Sequence, residues 1–119
     1  MASKYLPIGY LDNGYSNEYD VRYLLQFAKE IAASLAPMKR SDFQRLYRVI
    51  DSEYGYGHEF DRQRMAAASL VPMAHDLVRS GHAPAVLIDF AVANAAVIDS
   101  PTAYRCFRNH MEAIRSYMP

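Results

Sequence analysis

The sequence predicts an all-α fold, a bundle of about five helices. Three observations carry that prediction. Apolar residues recur at three- and four-residue intervals through most of the chain, the spacing of one helical face. Helix-starting and helix-stopping residues punctuate those runs at workable distances. No stretch alternates apolar with polar residues long enough to make a strand.

Residues 1–16 stand apart. They are rich in Tyr and Gly, with Pro7 and the turn-forming run Asp12-Asn13-Gly14, and are expected to form a short irregular arm. The first helix is expected to start at an Asn17 cap, with Asp20 at the third position. Val21, Leu24, Leu25, Ala28, Ile31, Ala32 and Leu35 lie along one of its faces, and Pro37 stops it. The second helix is predicted from about Asp42 to Glu53. Ser41 is its expected N-cap and Gln44 the returning member of a capping box. Phe43, Leu46, Tyr47 and Ile50 form its inner face, and a Tyr54-Gly55-Tyr56-Gly57 loop follows.

The third helix is expected to begin near His58 or Glu59 and to hold Phe60, Met65 and Leu70 inside. Pro72 donates no backbone bond, so a kink or restart is predicted there, with Ser69 available as a cap. Gly81 occupies a C-terminal glycine position. Pro84 opens the fourth helix. Residues 85–98 are apolar nearly all round, which predicts the central, most buried helix. Ser100 and Pro101 open the last helix, whose inward stripe is Tyr104, Phe107, Met111, Ile114 and Met118, with Arg105, Arg108 and Arg115 beside it.

The chain of 119 residues suits a single domain with one core. With 51% apolar and 22% charged residues its composition is globular. No apolar run has transmembrane length, the start lacks the apolar core of a secretory signal, and the lone Cys106 has no internal partner. A cytoplasmic setting, without membrane contact, is the expectation. Formal charge is zero, unlike a protein coated with nucleic acid, yet the charge is unevenly spread. Residues 65–100 carry Arg79 against Asp76, Asp89 and Asp99, whereas between Lys39 and Arg48 the four positive residues Lys39, Arg40, Arg45 and Arg48 meet one acid, Asp42.

Catalytic signatures are missing: there is no P-loop, GxGxxG, HExxH or CxxC motif. His58, His75, His82 and His110 fall in separate elements, and solvated or cap-side positions are expected for them. No catalytic residue, metal ligand or cofactor is therefore assigned. Asn94 is expected to make an interhelical hydrogen bond. The 54–56 tyrosines either stack on bases or cover a helix end. The basic residues 39–48 are either a solvated face or an anion site. A helix N-terminus and a preponderance of arginine, whose planar fork suits phosphate, favour the anion site. Contacts of that kind position a strand without reading its sequence.

With these residues laid out, the chain resembles the small helical subunit of CRISPR type III-A (Csm) effector complexes. Gly9-Tyr10-Leu11-Asp12 is similar to the family's opening Gly-Tyr-Phe-Asp. Ala28-Lys29-Glu30-Ile31-Ala32 looks like its Ala-Glu-x-Ile-Ala. Ser41-Asp42-Phe43-Gln44-Arg45-Leu46-Tyr47 looks like Ser-Gln-Leu-Arg-(Arg/Lys)-Phe-Tyr. Leu70-Val71-Pro72-Met73 with Arg79 is similar to a middle Leu-x-Pro-Lys stretch and its arginine. Phe107 to Ile114 looks like a closing Phe-x-x-(Tyr/His)-x-Glu-Ala helix. Asp42 in place of the usual Gln, Gln44 in place of Arg and Met73 in place of Lys depart from the pattern, and each reduces the positive charge there.

The resemblance implies a non-catalytic subunit of an RNA-guided antiviral effector. It would touch guide RNA and target RNA through their phosphate backbones, stack with further copies of itself in a filament, and bridge to other Csm subunits. Lys39, Arg40, Arg45, Arg48 and Arg79 are the expected RNA-binding residues. Two alternatives stand beside it: the small subunit of another type III effector, and a helical homodimeric interaction module without RNA contact.

Overall fold

A computed structural model describes residues 18–55, 57 and 59–119, with side chains from Gln26 onward. The expected 1–16 arm and the Asn17 cap lie outside them. Among the described residues there are five helices: α1 (Glu18–Ser34), α2 (Arg40–Ser52), α3 (Phe60–Arg79), α4 (Val86–Val97) and α5 (Pro101–Ser116). Among the described residues there is no strand. None of the described helices is long and apolar enough to cross a membrane.

The last helix is the hub. Ser100 caps it, its hydroxyl oxygen accepting from the Ala103 N–H at 3.0 Å, and Pro101 takes the first turn where no backbone donor is needed. Tyr104, Phe107, Met111, Ile114 and Met118 are all buried, as the spacing predicts. The helix packs against α1, α2 and α3. Buried Cys106 is one of its core positions, and burial pushes that thiol above its ordinary range despite nearby Arg105.

This displaces α4 from the centre where its composition put it. α4 packs most extensively on α3 and buries only Leu87, Phe90, Ala91 and Asn94. Being apolar all round says that a helix has no preferred wet side; it does not say how many neighbours it gains. Asn94 is buried, but its amide donates to the Phe90 carbonyl one turn back in the same helix, at 2.9 Å. The expected interhelical bond does not form, and the Asn94 Oδ1 meets no donor among the described residues.

α3 runs unbroken through Pro72. Ser69 caps nothing; its hydroxyl donates to the Ala66 carbonyl at 2.6 Å. Leu70, Ala74 and Leu77 are buried on either side of the proline, while Pro72 itself is exposed. Core burial thus carries the helix past the missing backbone bond. Met65, expected inside, is 72% exposed. The inner positions are instead Gln63, Ala66 and Ala67, small or polar residues that weaken the hydrophobic signal. The helix ends at Gly81, whose φ of +80° favours glycine. There the His82 N–H donates to the Leu77 carbonyl and the Gly81 N–H to the Val78 carbonyl, the paired bonds of a Schellman stop. His110 also departs from expectation. It is fully buried and stacks loosely between the Phe27 and Phe90 rings, at 5.9 and 6.2 Å.

Candidate nucleic-acid interface

α2 begins two residues earlier than its capping signals imply. Lys39 is the N-cap and makes no side-chain cap bond, so the Ser41–Gln44 capping box does not form. The Gln44 side-chain Oε1 instead accepts from Arg115 of α5 at 2.9 Å. What fixes the start of α2 is distant in sequence. The Arg40 N–H donates to the Pro119 carbonyl at 2.9 Å, and its guanidinium Nε donates to the Met118 carbonyl at 3.1 Å. A cation meeting the carbonyls just past the end of α5 is favourable for the helix dipole as well.

From that start, Phe43, Leu46, Tyr47 and Ile50 face the core and Ser41, Arg45, Arg48 and Ser52 face solvent. The two arginines are three residues apart and so are neighbours on the surface, with exposed Lys39 at the same helix's N-terminus. None of Lys39, Arg45 and Arg48 pairs with an acid among the described residues.

Arg45 also borders a recess of about 270 Å³ with Met73, Asp76, Leu77, Ser80 and His82 at the C-terminal end of α3. The first turn of α2 therefore lies beside the last turn of α3, and the His82 Nδ1 sits 3.4 Å from an Asp42 carboxylate oxygen. Arg79 is highly exposed and paired with Asp76. Asp76 thus stands between Arg79 and the Arg45 recess, lowering the positive potential there. The five sequence-predicted residues divide accordingly. Lys39, Arg45 and Arg48 are open to an anion, Arg79 is open but shared with an acid, and Arg40 is occupied by the last residues of the chain.

The arginines of α5 that look like a second basic face are engaged. Arg108 donates to Asp51 at 3.1 Å and to Glu112 at 2.8 Å. Its guanidinium also lies 4.7 Å from the Tyr54 ring and 5.6 Å from Tyr47. Burial draws the Arg108 pKa down, but the Asp51 hydrogen bond and the charges of Tyr47, Glu112 and Asp51 outweigh it, so the net shift is upward. Arg115 stacks on the other part of this cluster, 4.3 Å from Tyr47. Tyr54 therefore covers an arginine at the end of α2; Tyr56 lies outside the described residues.

Sequence reasoning missed His82 and Ser80 as edges of the Arg45 recess. The only signal for them was the Gly81 stop, which returns the chain toward α2. Among the described residues no three His, Cys, Asp or Glu side chains gather to hold a metal, and His75 is exposed beside the Asp76–Arg79 pair. The arrangement offers separated, solvent-facing guanidinium and ammonium groups, suited to several phosphates in a row. No protein-family model matches the chain, and neither the curated proteins nor the solved structures yielded a match.

Proposed function

We propose that this chain is a non-catalytic small subunit of a type III-A CRISPR RNA-guided effector, holding the guide RNA and target RNA backbones through Lys39, Arg45 and Arg48. Arg79 contributes more weakly because Asp76 shares its charge. Arg40 serves the fold. The observation that carries the reading is the set of cations on the exposed side of α2, unpaired among the described residues, in a chain of zero net charge. The residue pattern from Ser41 to Tyr47, where the resemblance to the family is sharpest, falls on that same helix. Contacts of this type are sequence-independent. A few charges per copy give modest affinity alone, and stacked copies in a cytoplasmic complex with other Csm subunits raise it by avidity.

The test is Arg45→Glu with Arg48→Glu in the reconstituted effector. Both side chains are exposed, so the thermal melt should stay within about 0.5 kcal/mol of wild type. Target-RNA retention should fall. The slope of log affinity against log salt should become shallower by roughly 0.7–0.9 for each phosphate that is no longer neutralised. Unchanged retention and slope would remove these residues from the interface. A second reading, a helical protein-interaction module without RNA contact, is favoured by the exposed valines of α4. Affinity purification separates the two readings: guide RNA and backbone subunits accompany the chain in the first, and protein alone does so in the second.

A further inference from the structure

The loop from α2 to α3 and the first turn of α5 border a recess of about 580 Å³, within the size range of small-molecule sites. None of Lys39, Arg45 and Arg48 lines it. Its lining residues are exposed, with one exception: Gln63 of α3, which is 6% exposed and so forms the floor. The Gln63 Nε2 donates to the Glu53 carbonyl at 2.9 Å. Its Oε1 meets no donor among the described residues, and a buried acceptor left unmet is costly. A ligand that enters the recess with an N–H group can supply that donor.

The start of α5 supplies positive potential to the same recess. Pro101 has no N–H and the Ala103 N–H is taken by the Ser100 hydroxyl. The Thr102 N–H, with the helix dipole behind it, is unpartnered among the described residues. Arg105, one turn on, is exposed and has no ion-pair partner among the described residues. The third contribution is aromatic. The Tyr54 ring is 36% exposed at the edge of the recess, with the Arg108 guanidinium 4.7 Å from it. Beside it Gly55 and Gly57 leave the wall open, since a Cβ on either would meet nothing within 4 Å. One ligand answers all three groups if it carries an N–H donor, a compact anion and a flat ring. A guanidinium and a helix start balance the charge of a phosphate monoester, whereas a triphosphate exceeds them. A bare sugar-phosphate backbone would leave the Gln63 Oε1 unmet.

We propose that this recess binds an aminopurine nucleoside 5′-monophosphate, either free or as the 5′ end of a strand. The exocyclic amine donates to the Gln63 Oε1, the base lies against Tyr54, and the phosphate meets the Thr102 N–H and the Arg105 guanidinium. The proposal does not rest on the backbone contacts of α2: loss of the Arg45–Arg48 interface would leave this recess as it is.

Equilibrium dialysis of the full chain against AMP tests it. AMP should be retained. Purine riboside 5′-monophosphate, which lacks the amine, and adenosine, which lacks the phosphate, should each bind weaker by about tenfold or more. Arg105→Ala should weaken AMP by about tenfold while the circular dichroism melt stays that of wild type. Gln63→Leu should erase the difference between AMP and the purine analogue; if that variant does not fold, the ligand series and Arg105→Ala decide alone. Oligoadenylates with a 5′-phosphate and with a 5′-hydroxyl, offered to the Arg45→Glu, Arg48→Glu variant, identify the source. Competition with AMP by the phosphorylated strand alone assigns a strand end, and competition by neither assigns a free nucleotide. The proposal is overturned by no retention of AMP at millimolar concentration, or by ribose 5-phosphate or the purine analogue binding as tightly as AMP. It is also overturned by indifference to Arg105→Ala, or by equal competition from both strands.

Discussion

Replacing Asn94 by leucine should stabilise the protein, although Asn94 is among the most buried side chains it has. Only 1% of the residue is exposed. Its one hydrogen bond is donated to the Phe90 carbonyl, four residues back on the same helix. That carbonyl stands where a regular helix already supplies a backbone donor. The Asn94 Oδ1 has no donor among the described residues, and a buried acceptor left unmet costs about 1–3 kcal/mol. Leucine removes that penalty and is the better helix former by a few tenths of a kcal/mol. Losing a supplementary hydrogen bond and fitting a slightly larger side chain act the other way, at about 1 kcal/mol together. The net expectation is a gain of about 1–2 kcal/mol. Urea unfolding followed by circular dichroism reads this directly. With a slope of about 1–3 kcal/mol per molar for a small protein, the midpoint rises by roughly 0.5–1 M at unchanged slope. Asn94→Met serves as a control for shape, because its flexible side chain adapts to an imperfect space. If both variants lose more than about 1 kcal/mol, the Oδ1 has a native partner and the reasoning is refuted.

Arg108→Ala should lower stability by about 1–2 kcal/mol, since it removes stacking on two tyrosines and two ion pairs whose acids are nearly half-exposed and therefore screened. Thermal melts with Arg108→Lys alongside check it, and full rescue by lysine would show that the planar fork is immaterial. Tyr104 sets an alkaline limit. Its hydroxyl donates to the Ile50 carbonyl, and its pKa is raised by burial first, then by Glu53 and Asp51. The folded state therefore holds this proton more tightly than the unfolded chain does. That contribution is complete below the ordinary tyrosine value near 10 and is lost as pH rises above it. Urea midpoints taken from pH 8 to pH 11.5 should fall less steeply in Tyr104→Phe than in wild type; parallel curves would remove Tyr104 as the cause.

Much of this fold is legible in the sequence because the signals are local. Ser100, Pro101 and the stripe from Tyr104 to Met118 specify α5 within one stretch of chain. The Gly81 stop is equally self-contained. The misplaced features depend on partners far along the chain. The α2 cap fails because Arg40 is fixed by Met118 and Pro119, an attachment that no window around Ser41 contains. Pro72 passes without a break because packing at Leu70, Ala74 and Leu77 exceeds a local penalty. Met65 and the alanines at 66 and 67 mislead together, since size suggests an inward methionine while close helix contact selects small residues. In the candidate site, the arginines of α2 are recognisable by their spacing against the core face. Which of them is free is not, because Asp76 and the end of α5 reach them only through the fold.

The Arg40 clasp has a consequence for how any basic surface on this protein is mapped. It joins the opening turn of α2 to residues nearly eighty positions later, so removing it loosens the platform on which Arg45 and Arg48 stand. A charge-neutralising scan scored by RNA retention alone would then confuse a loosened start of α2 with the loss of a phosphate contact at Arg40. Stability must therefore be recorded beside retention for every variant. By that criterion Arg40 should separate from its neighbours: its removal is expected to shift the melting curve, and theirs is not.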